Sequence, residues 1–335
     1  MNKPIRVLVI DDSAFNRRTL TRLLESIQGV EVVATATDGN EGLKQAMRLK
    51  PDLITLDLEM PVMDGFTFLR ILMKTSPTPV IVISSRGEDI NVFKAMELGA
   101  VDFIPKPTHI PSLALFDIKD ELAMKIKMLP HLQIDKVAKF EGKHQVSGIQ
   151  YPEERHEEPR AGYGAWDVVA VGSSTGGPPA LSAILPNFPE GFPASVVVSQ
   201  HMPPGFTKPF AERLNKICKI NVREAGDNEG VKGGEVLIAP GGCHLSFRRD
   251  SKGVVMTRLM ERKVDDKYVP SVDIMFSSSA EVWGKRTIGV VLTGMGHDGK
   301  EGVVAIKEKG GYVMAESQET SIIFGMPESA IATGK

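Results

Sequence analysis

Short runs of β-branched residues alternate with stretches of helical spacing along most of this chain, and that alternation restricts the fold more than any other feature. In the first part, strands are expected at Ile5–Ile10, Val30–Thr35, Leu53–Asp57, Val80–Ile83 and Asp102–Ile104, with helical spacing between them, as over Arg17–Ile27 and Glu41–Lys50. Leu115, Ile118, Leu122, Ile126 and Leu129 continue a helical repeat that Pro130 ends. Parallel strands need a crossover, and an amphipathic helix supplies it, so this rhythm predicts a parallel sheet with helices on both faces. The rhythm resumes at Asp167–Val171 and runs through Ser195–Ser199, Glu235–Ala239, Thr287–Leu292, Tyr312–Ala315 and Ser321–Phe324. Helices fit Pro178–Leu185, Lys208–Lys216, Ser271–Val282 and Gly299–Lys309, while Cys243–Phe247 and Val254–Arg258 read as a hairpin across Arg248–Gly253.

Between the two series, the segment from Gln150 to Arg160 is dense in charge, carries Pro152 and Pro159, and offers little that could be buried. The expected organisation is therefore two doubly wound α/β domains, over 1–130 and 165–335, with a solvated linker over 131–164 and a small antiparallel hairpin in the second domain. A length of 335 residues is enough for two independent cores. The net charge of −2 gives no global basic field, so nucleic acid is not an expected partner. Only two cysteines occur, Cys218 and Cys243, which fits a reducing compartment. The apolar run Ile5–Ile10 is too short for an export signal and leads into two acids, and no apolar stretch approaches membrane-spanning length. A cytoplasmic protein without membrane insertion is expected.

Acidic residues end two of the first-domain strands: Asp11 and Asp12 after the first, Asp57 after the third. Ligand sites in doubly wound sheets lie at the carboxyl ends of strands. Three carboxylates meeting there would repel one another without a hard cation, and Mg²⁺ suits oxygen ligands and water. A carboxylate beside Mg²⁺ can attack a phosphoryl group and form an aspartyl phosphate. Ser84, closing the fourth strand, brings a hydroxyl, and Lys106, in Phe103-Ile104-Pro105-Lys106-Pro107, brings an ammonium that can neutralise phosphate charge. Taken singly, each acid could be a helix cap or a surface charge.

Val9-Ile10-Asp11-Asp12-Ser13, Asp57 with Met60-Pro61-Val62-Met63-Asp64-Gly65, Ser84 and Lys106-Pro107 together resemble the receiver domain of two-component response regulators, over roughly residues 4–128. The resemblance implies a flavodoxin-like fold with Asp57 as phospho-acceptor and a histidine kinase as phosphodonor. It also implies Asp11, Asp12, Asp57 and the carbonyl of Glu59 around Mg²⁺, Ser84 and Lys106 as phosphate contacts that bias a switch, and Phe103 as the aromatic that reorients.

In the second domain the turn after the first strand reads Gly172-Ser173-Ser174-Thr175-Gly176-Gly177, which contains G-x-S-x-G with Ser174 at its apex between strand and helix. A glycine-rich phosphate loop or a plain tight turn shares this pattern. A serine nucleophile needs a base, and His201, in Gln200-His201-Met202-Pro203-Pro204-Gly205, follows the next strand and so reaches the same sheet edge. Asp298, in Leu292-Thr293-Gly294-Met295-Gly296-His297-Asp298-Gly299, is the candidate to orient the imidazole, with N-capping of the helix that follows as its competing role. Backbone N–H groups at Thr175 and Met295 are candidates for an oxyanion hole. The chain order Ser, His, Asp differs from the Ser, Asp/Glu, His order of α/β-hydrolases. His297 beside Asp298, and Cys243–His244, lack metal-ligand company at suitable spacing, so zinc is not expected and the serine site should need no cofactor.

Residues 165–335 resemble the catalytic domain of the chemotaxis protein-glutamate methylesterase. The matching pieces are Val171-Gly172-Ser173-Ser174-Thr175-Gly176-Gly177-Pro178, Gln200-His201-Met202-Pro203-Pro204-Gly205-Phe206-Thr207, Ile238-Ala239-Pro240-Gly241, Pro270-Ser271-Val272-Asp273, Leu292-Thr293-Gly294-Met295-Gly296 and Phe324-Gly325-Met326-Pro327. The resemblance implies a Rossmann-like fold, the triad Ser174, His201 and Asp298, methyl-accepting chemotaxis receptors as substrates, and glutamine deamidation as a second activity. The family pattern usually continues beyond 330–335 with another strand and a closing helix. A transcription regulator would instead need a basic DNA-reading module, and 165–335 shows none.

Overall fold

The computed structural model describes residues 3–84, 89–106, 113–134 and 166–335. The linker expected over 131–164 therefore lies almost entirely outside the described residues, as does Pro107. Among the described residues, one compact unit holds the first sheet together with Gln318–Phe324, and a second unit holds the rest of the C-terminal part.

The first unit is a parallel five-stranded sheet in the order β2-β1-β3-β4-β5, the doubly wound order in which β1 and β3 flank the topological switch. The strands are β1 (Ile5–Ile10), β2 (Val30–Ala36), β3 (Leu53–Leu56), β4 (Val80–Ser84) and β5 (Asp102–Pro105). Strands β3 and β4 are buried throughout, as expected for strands covered on both faces. Helices α1 (Ala14–Glu25), α2 (Gly39–Leu49), α3 (Gly65–Thr75), α4 (Asp89–Glu97) and α5 (Leu113–Lys127) connect or follow them. Each of the first three begins where a side chain accepts orphan backbone N–H groups: Ser13, Asp38 and Asp64. Val7 and Val9 pack on Leu20 and Leu24 of α1 and on Leu122 and Ile126 of α5.

The second unit is a parallel six-stranded sheet in the order β13-β12-β6-β7-β9-β8. Its strands are β6 (Val168–Ser173), β7 (Ser195–Gln200), β8 (Asn221–Glu224), β9 (Glu235–Ile238), β12 (Thr287–Val291) and β13 (Tyr312–Ala315). From β6 the chain first builds outward through β7 and then returns to add β12 and β13 on the other side, so the switch lies between β6 and β12. Strands β10 (Cys243–Arg249) and β11 (Val255–Glu261) form the expected antiparallel hairpin. The helices are α6 (Gly177–Ile184), α7 (Thr207–Ile217), α8 (Val272–Trp283), α9 (Lys300–Glu308) and α10 (Gly325–Ile331). Val272, Met275 and Phe276 of α8 bury against Val168, Ala170, Val303 and Ile306. Glycine permits that approach: a Cβ on Gly172 would collide with the Val272 side chain, and one on Gly302 with Phe276.

One expected element fails to form, and one that forms was not expected. No strand forms at 321–324; Ile322 and Ile323 are buried with Val101 in a cluster of the first unit, so burial, rather than a ladder, explains their apolar character. The edge strand β8 escaped notice because only Val222 of its four residues is buried. Among the described residues, no helix is long and apolar enough to cross a membrane.

Candidate functional sites

At the switch of the first sheet, Asp11, Asp12 and Asp57 bring carboxylate oxygens within 4.8 Å of one another. Asp11 and Asp57 are buried and Asp12 is exposed. Lys106 Nζ donates to Asp57 Oδ2 at 2.8 Å, and the Lys106 backbone N–H donates to the Ser84 carbonyl at 2.6 Å. The Glu59 N–H donates to Asp57 Oδ1 at 3.3 Å. Burial, reinforced by the charge of Asp57, raises the Asp11 carboxyl from 3.8 to about 6. Burial also raises Asp57, against the opposing hydrogen bond and charge of Lys106. Among the described residues Lys106 alone pairs with these carboxylates, while Arg17 donates to the backbone carbonyls of Asp11 and Asp12, and the all-oxygen donor set fits Mg²⁺. Phe103 is buried edge-on to Phe93. Lys125, which the sequence did not single out, bridges Asp102 and Glu121 and donates to the Phe103 carbonyl at 3.0 Å.

The raised Asp11 has a measurable consequence. Because the folded state holds this proton more tightly than the unfolded chain, stability contributed by Asp11 falls as pH rises from 3.8 to about 6. Asp11→Asn is therefore expected to stabilise the metal-free protein at pH 7 by up to about 3 kcal/mol. Mg²⁺ is expected to raise the melting temperature of the native sequence and to leave that of the variant unchanged. Thermal melts of the full chain with and without Mg²⁺ check this; a variant no more stable than the native chain without metal would refute it.

At the switch of the second sheet, Ser174 leaves β6, His201 leaves β7 and Asp298 follows β12, so all three expected residues reach one sheet edge. The Ser174 backbone N–H donates to the Thr293 carbonyl at 3.1 Å, and the His201 N–H donates to the Ser173 carbonyl at 3.0 Å. The turn is not a strained elbow. The positive φ of 80° falls on Gly176, the residue before α6, and Ser174 is not among the positive-φ positions. Gly294 backs onto the serine, since a Cβ there would stand 2.9 Å from Ser174 Cβ. Thr175 is anchored by Thr293 Oγ1, which donates to its carbonyl at 3.1 Å, and Met295 follows Gly294 at the same edge.

His201 Nε2 lies 2.7 Å from Asp298 Oδ2. The carboxylate also accepts from Ser271 Oγ (3.0 Å), the Val272 N–H (2.7 Å) and the Asp273 N–H (3.0 Å). Asp298 thus caps the N-terminus of α8, not the helix that follows it; Asp273, in the first turn of α8, accepts the Gly302 N–H of α9 at 2.7 Å. The two helices exchange caps. Burial pushes the Asp298 carboxyl up, but the hydrogen bond and charge of His201 and the N–H groups of Asp273 and Val272 together hold it below its ordinary value. Asp273 lacks the imidazole, and burial lifts it to about 6.

Gln200 and Tyr268 were not singled out from sequence, and His244 was weighed there only as a metal ligand. Gln200, 2% exposed, accepts from Ser173 Oγ at 2.7 Å and donates to the Ser174 and His201 carbonyls at 2.9 and 3.0 Å. Tyr268 stacks on His201. Buried His244 accepts the Ser271 N–H at Nδ1 (3.1 Å) and meets Asp266 at Nε2 (2.9 Å). A cleft of about 200 Å³ runs past Tyr268, Ser271, Asp273 and Asp298. The motif pieces containing Gln200 and Ser271-Val272-Asp273 carried the signal, without saying what those side chains touch.

Residues 169–335 match the family described as CheB methylesterase, and residues 7–115 match the response regulator receiver domain. The protein-glutamate methylesterase/protein-glutamine glutaminase 3 of Geobacter sulfurreducens is 52% identical over 347 residues, covering 99% of this chain and 93% of that relative. The protein-glutamate methylesterase/protein-glutamine glutaminase 1 of Myxococcus xanthus is 48% identical over 330 residues, covering 98% of this chain and 92% of the relative. The crystal structure of the Thermotoga maritima CheB methylesterase catalytic domain aligns at 46% identity over 51% of this chain and 90% of that one, with a TM-score of 0.49. With near-complete coverage of relatives at this identity, the chain belongs to the CheB family of protein-glutamate methylesterases/protein-glutamine glutaminases, a methylesterase domain preceded by a response-regulator receiver.

Proposed function

We propose that this enzyme hydrolyses glutamate methyl esters, and deamidates glutamines, on methyl-accepting chemotaxis receptors in the cytoplasm, through Ser174, His201 and Asp298 and under control of phosphorylation at Asp57. The receiver would occupy 1–130, the linker 131–164 and the catalytic domain 165–335. The observation that carries the reading is the short His201–Asp298 pair, with His201 at the end of the strand next to that of Ser174 and the Gln200 amide donating to the carbonyls of both Ser174 and His201.

With Nε2 engaged by Asp298, Nδ1 is the ring nitrogen left to accept the Ser174 proton. The serine oxygen attacks the ester carbonyl, and the backbone N–H groups of Thr175 and Met295 serve the developing oxyanion. His201 then protonates the departing methoxide, and methanol leaves an acyl-serine. Water, deprotonated by the same imidazole, releases the glutamate. With glutamine the leaving group is ammonia and the rest is unchanged. Asp298 stays ionised throughout, aligning the imidazole and stabilising its charged form.

In the receiver, Asp57 would take a phosphoryl group from a histidine kinase, with Lys106 against the phosphate charge and the Ser84 hydroxyl as a further contact. Asp11, Asp12, Asp57 and the Glu59 carbonyl would hold Mg²⁺, which when bound supplies positive charge beside the phosphoryl oxygens. Phe103 would be the aromatic that reports the change.

The test is methanol release from methylated receptor, with and without a small phosphodonor plus Mg²⁺. Release should require Ser174 and rise with phosphodonor in the native chain, while Asp57→Ala keeps the basal rate and loses the rise. Release that ignores the phosphodonor would remove the switch; release that survives Ser174→Ala would remove the mechanism.

A further inference from the structure

His201 is gripped at one edge by Asp298, and one of its faces is covered. Tyr268 lies nearly parallel to the imidazole, with ring centroids 4.9 Å apart and an interplanar angle of 8°. We propose that Tyr268 is a positioning residue for the esterase reaction, its π-face stabilising the imidazolium that His201 becomes while it carries the serine proton. The inference rests on His201 being the base.

A cation within about 6 Å of an aromatic centroid is attracted by the ring's negative face, more strongly where water is partly excluded. His201 is mostly buried, so the attraction is not lost to solvent. The tyrosine is itself held in place. The His297 ring stands perpendicular to it at 6.0 Å and 87°. Gly296, at φ 84°, makes room, because a Cβ there would collide with the Tyr268 hydroxyl. Burial first, and the charge of Asp298 second, push the Tyr268 phenol above its ordinary range, so the ring stays neutral during turnover. Tyr268 also begins the segment that ends in Ser271, Val272 and Asp273, the three donors to Asp298. One short stretch of chain thus addresses the base at its edge, through Asp298, and on its face. The titratable groups arranged around the imidazole are Asp298 at Nε2, Asp273 behind it, Tyr268 on the face and His297 beyond Tyr268.

Packing alone would also place a ring here, and the experiment separates the two. In the full-length protein, position 268 is made Phe, then phenylalanine carrying one, two and three ring fluorines, which keep the shape and drain the π-face. Tyr268→Leu and His201→Gln complete the set. The expected result is a stepwise fall in kcat to about one-fifth across the fluorine series, with KM unchanged. The acid limb of kcat/KM should move to lower pH in the same steps, because a less stabilised imidazolium gives up its proton sooner. Tyr268→Leu should lie at the low end of the series. A flat rate and an unmoved acid limb across the fluorinated rings would overturn the proposal, even if Tyr268→Leu fails to fold. Substantial activity in His201→Gln would overturn the base assignment and the proposal with it; His201-dependent activity with a flat series would overturn the proposal alone.

Discussion

Asp298→Ala is expected to lower methanol release about 10⁴-fold and, in the same protein, to cost about 3 kcal/mol of catalytic-unit stability. The two losses share one origin. The carboxylate aligns His201 through Oδ2 and at the same time receives Ser271 Oγ and the N–H groups of Val272 and Asp273. Removing it leaves buried donors at the start of α8 without an acceptor and leaves Asp273 as the remaining carboxylate. Ser174→Ala supplies the contrast, because it should abolish turnover and covalent labelling by a fluorophosphonate while leaving stability nearly unchanged. Steady-state kinetics paired with urea unfolding of the full chain checks both. An Asp298→Ala protein as stable as the native one would mean that α8 does not depend on this cap.

Gln200→Leu is expected to reduce kcat about 100-fold with little change in KM, and to destabilise by about 2–4 kcal/mol. Leucine fills similar space but offers no hydrogen bond, so the Ser173 hydroxyl and the carbonyls of Ser174 and His201 all lose their partner. On the proposed mechanism those carbonyls belong to the nucleophile and the base, and the amide is a shared tie between their two backbones. Gly177 must lack a side chain for the amide to fit, since a Cβ there would collide with Gln200 Oε1. Separate kcat and KM values on methylated receptor give the answer. A kcat within twofold of native in a folded variant would show that the strand ends alone hold the pair in register.

How far the sequence reached depended on whether a residue's role is local or arises from tertiary contact. The parallel sheets were legible because β3, β4, β6 and β7 are buried on both faces and read as continuous apolar runs. Ser174, His201 and Asp57 could be picked out as candidates because each sits immediately beyond such a run, and Asp11 because it follows β1, whereas Asp298 stands seven residues past β12 and was marked by its glycine-rich surroundings. Ile322 and Ile323 misled, since burial in a neighbouring cluster leaves the same apolar mark as burial in a strand. Asp298 does cap a helix, but not the one that follows it: the N–H it accepts belongs to Val272 of α8, 26 residues away, a separation no local pattern encodes. Tyr268 and Gln200 carry no spacing that advertises a stacked ring or a buried amide bridge.

The exchanged caps of α8 and α9 have a consequence for the cell. On the reading proposed here, the base is aligned only while both helices are docked, so undocking of either one takes the activity with it. A damaged or misfolded copy then cannot strip esters from proteins it happens to meet, and loss of structural integrity fails safe.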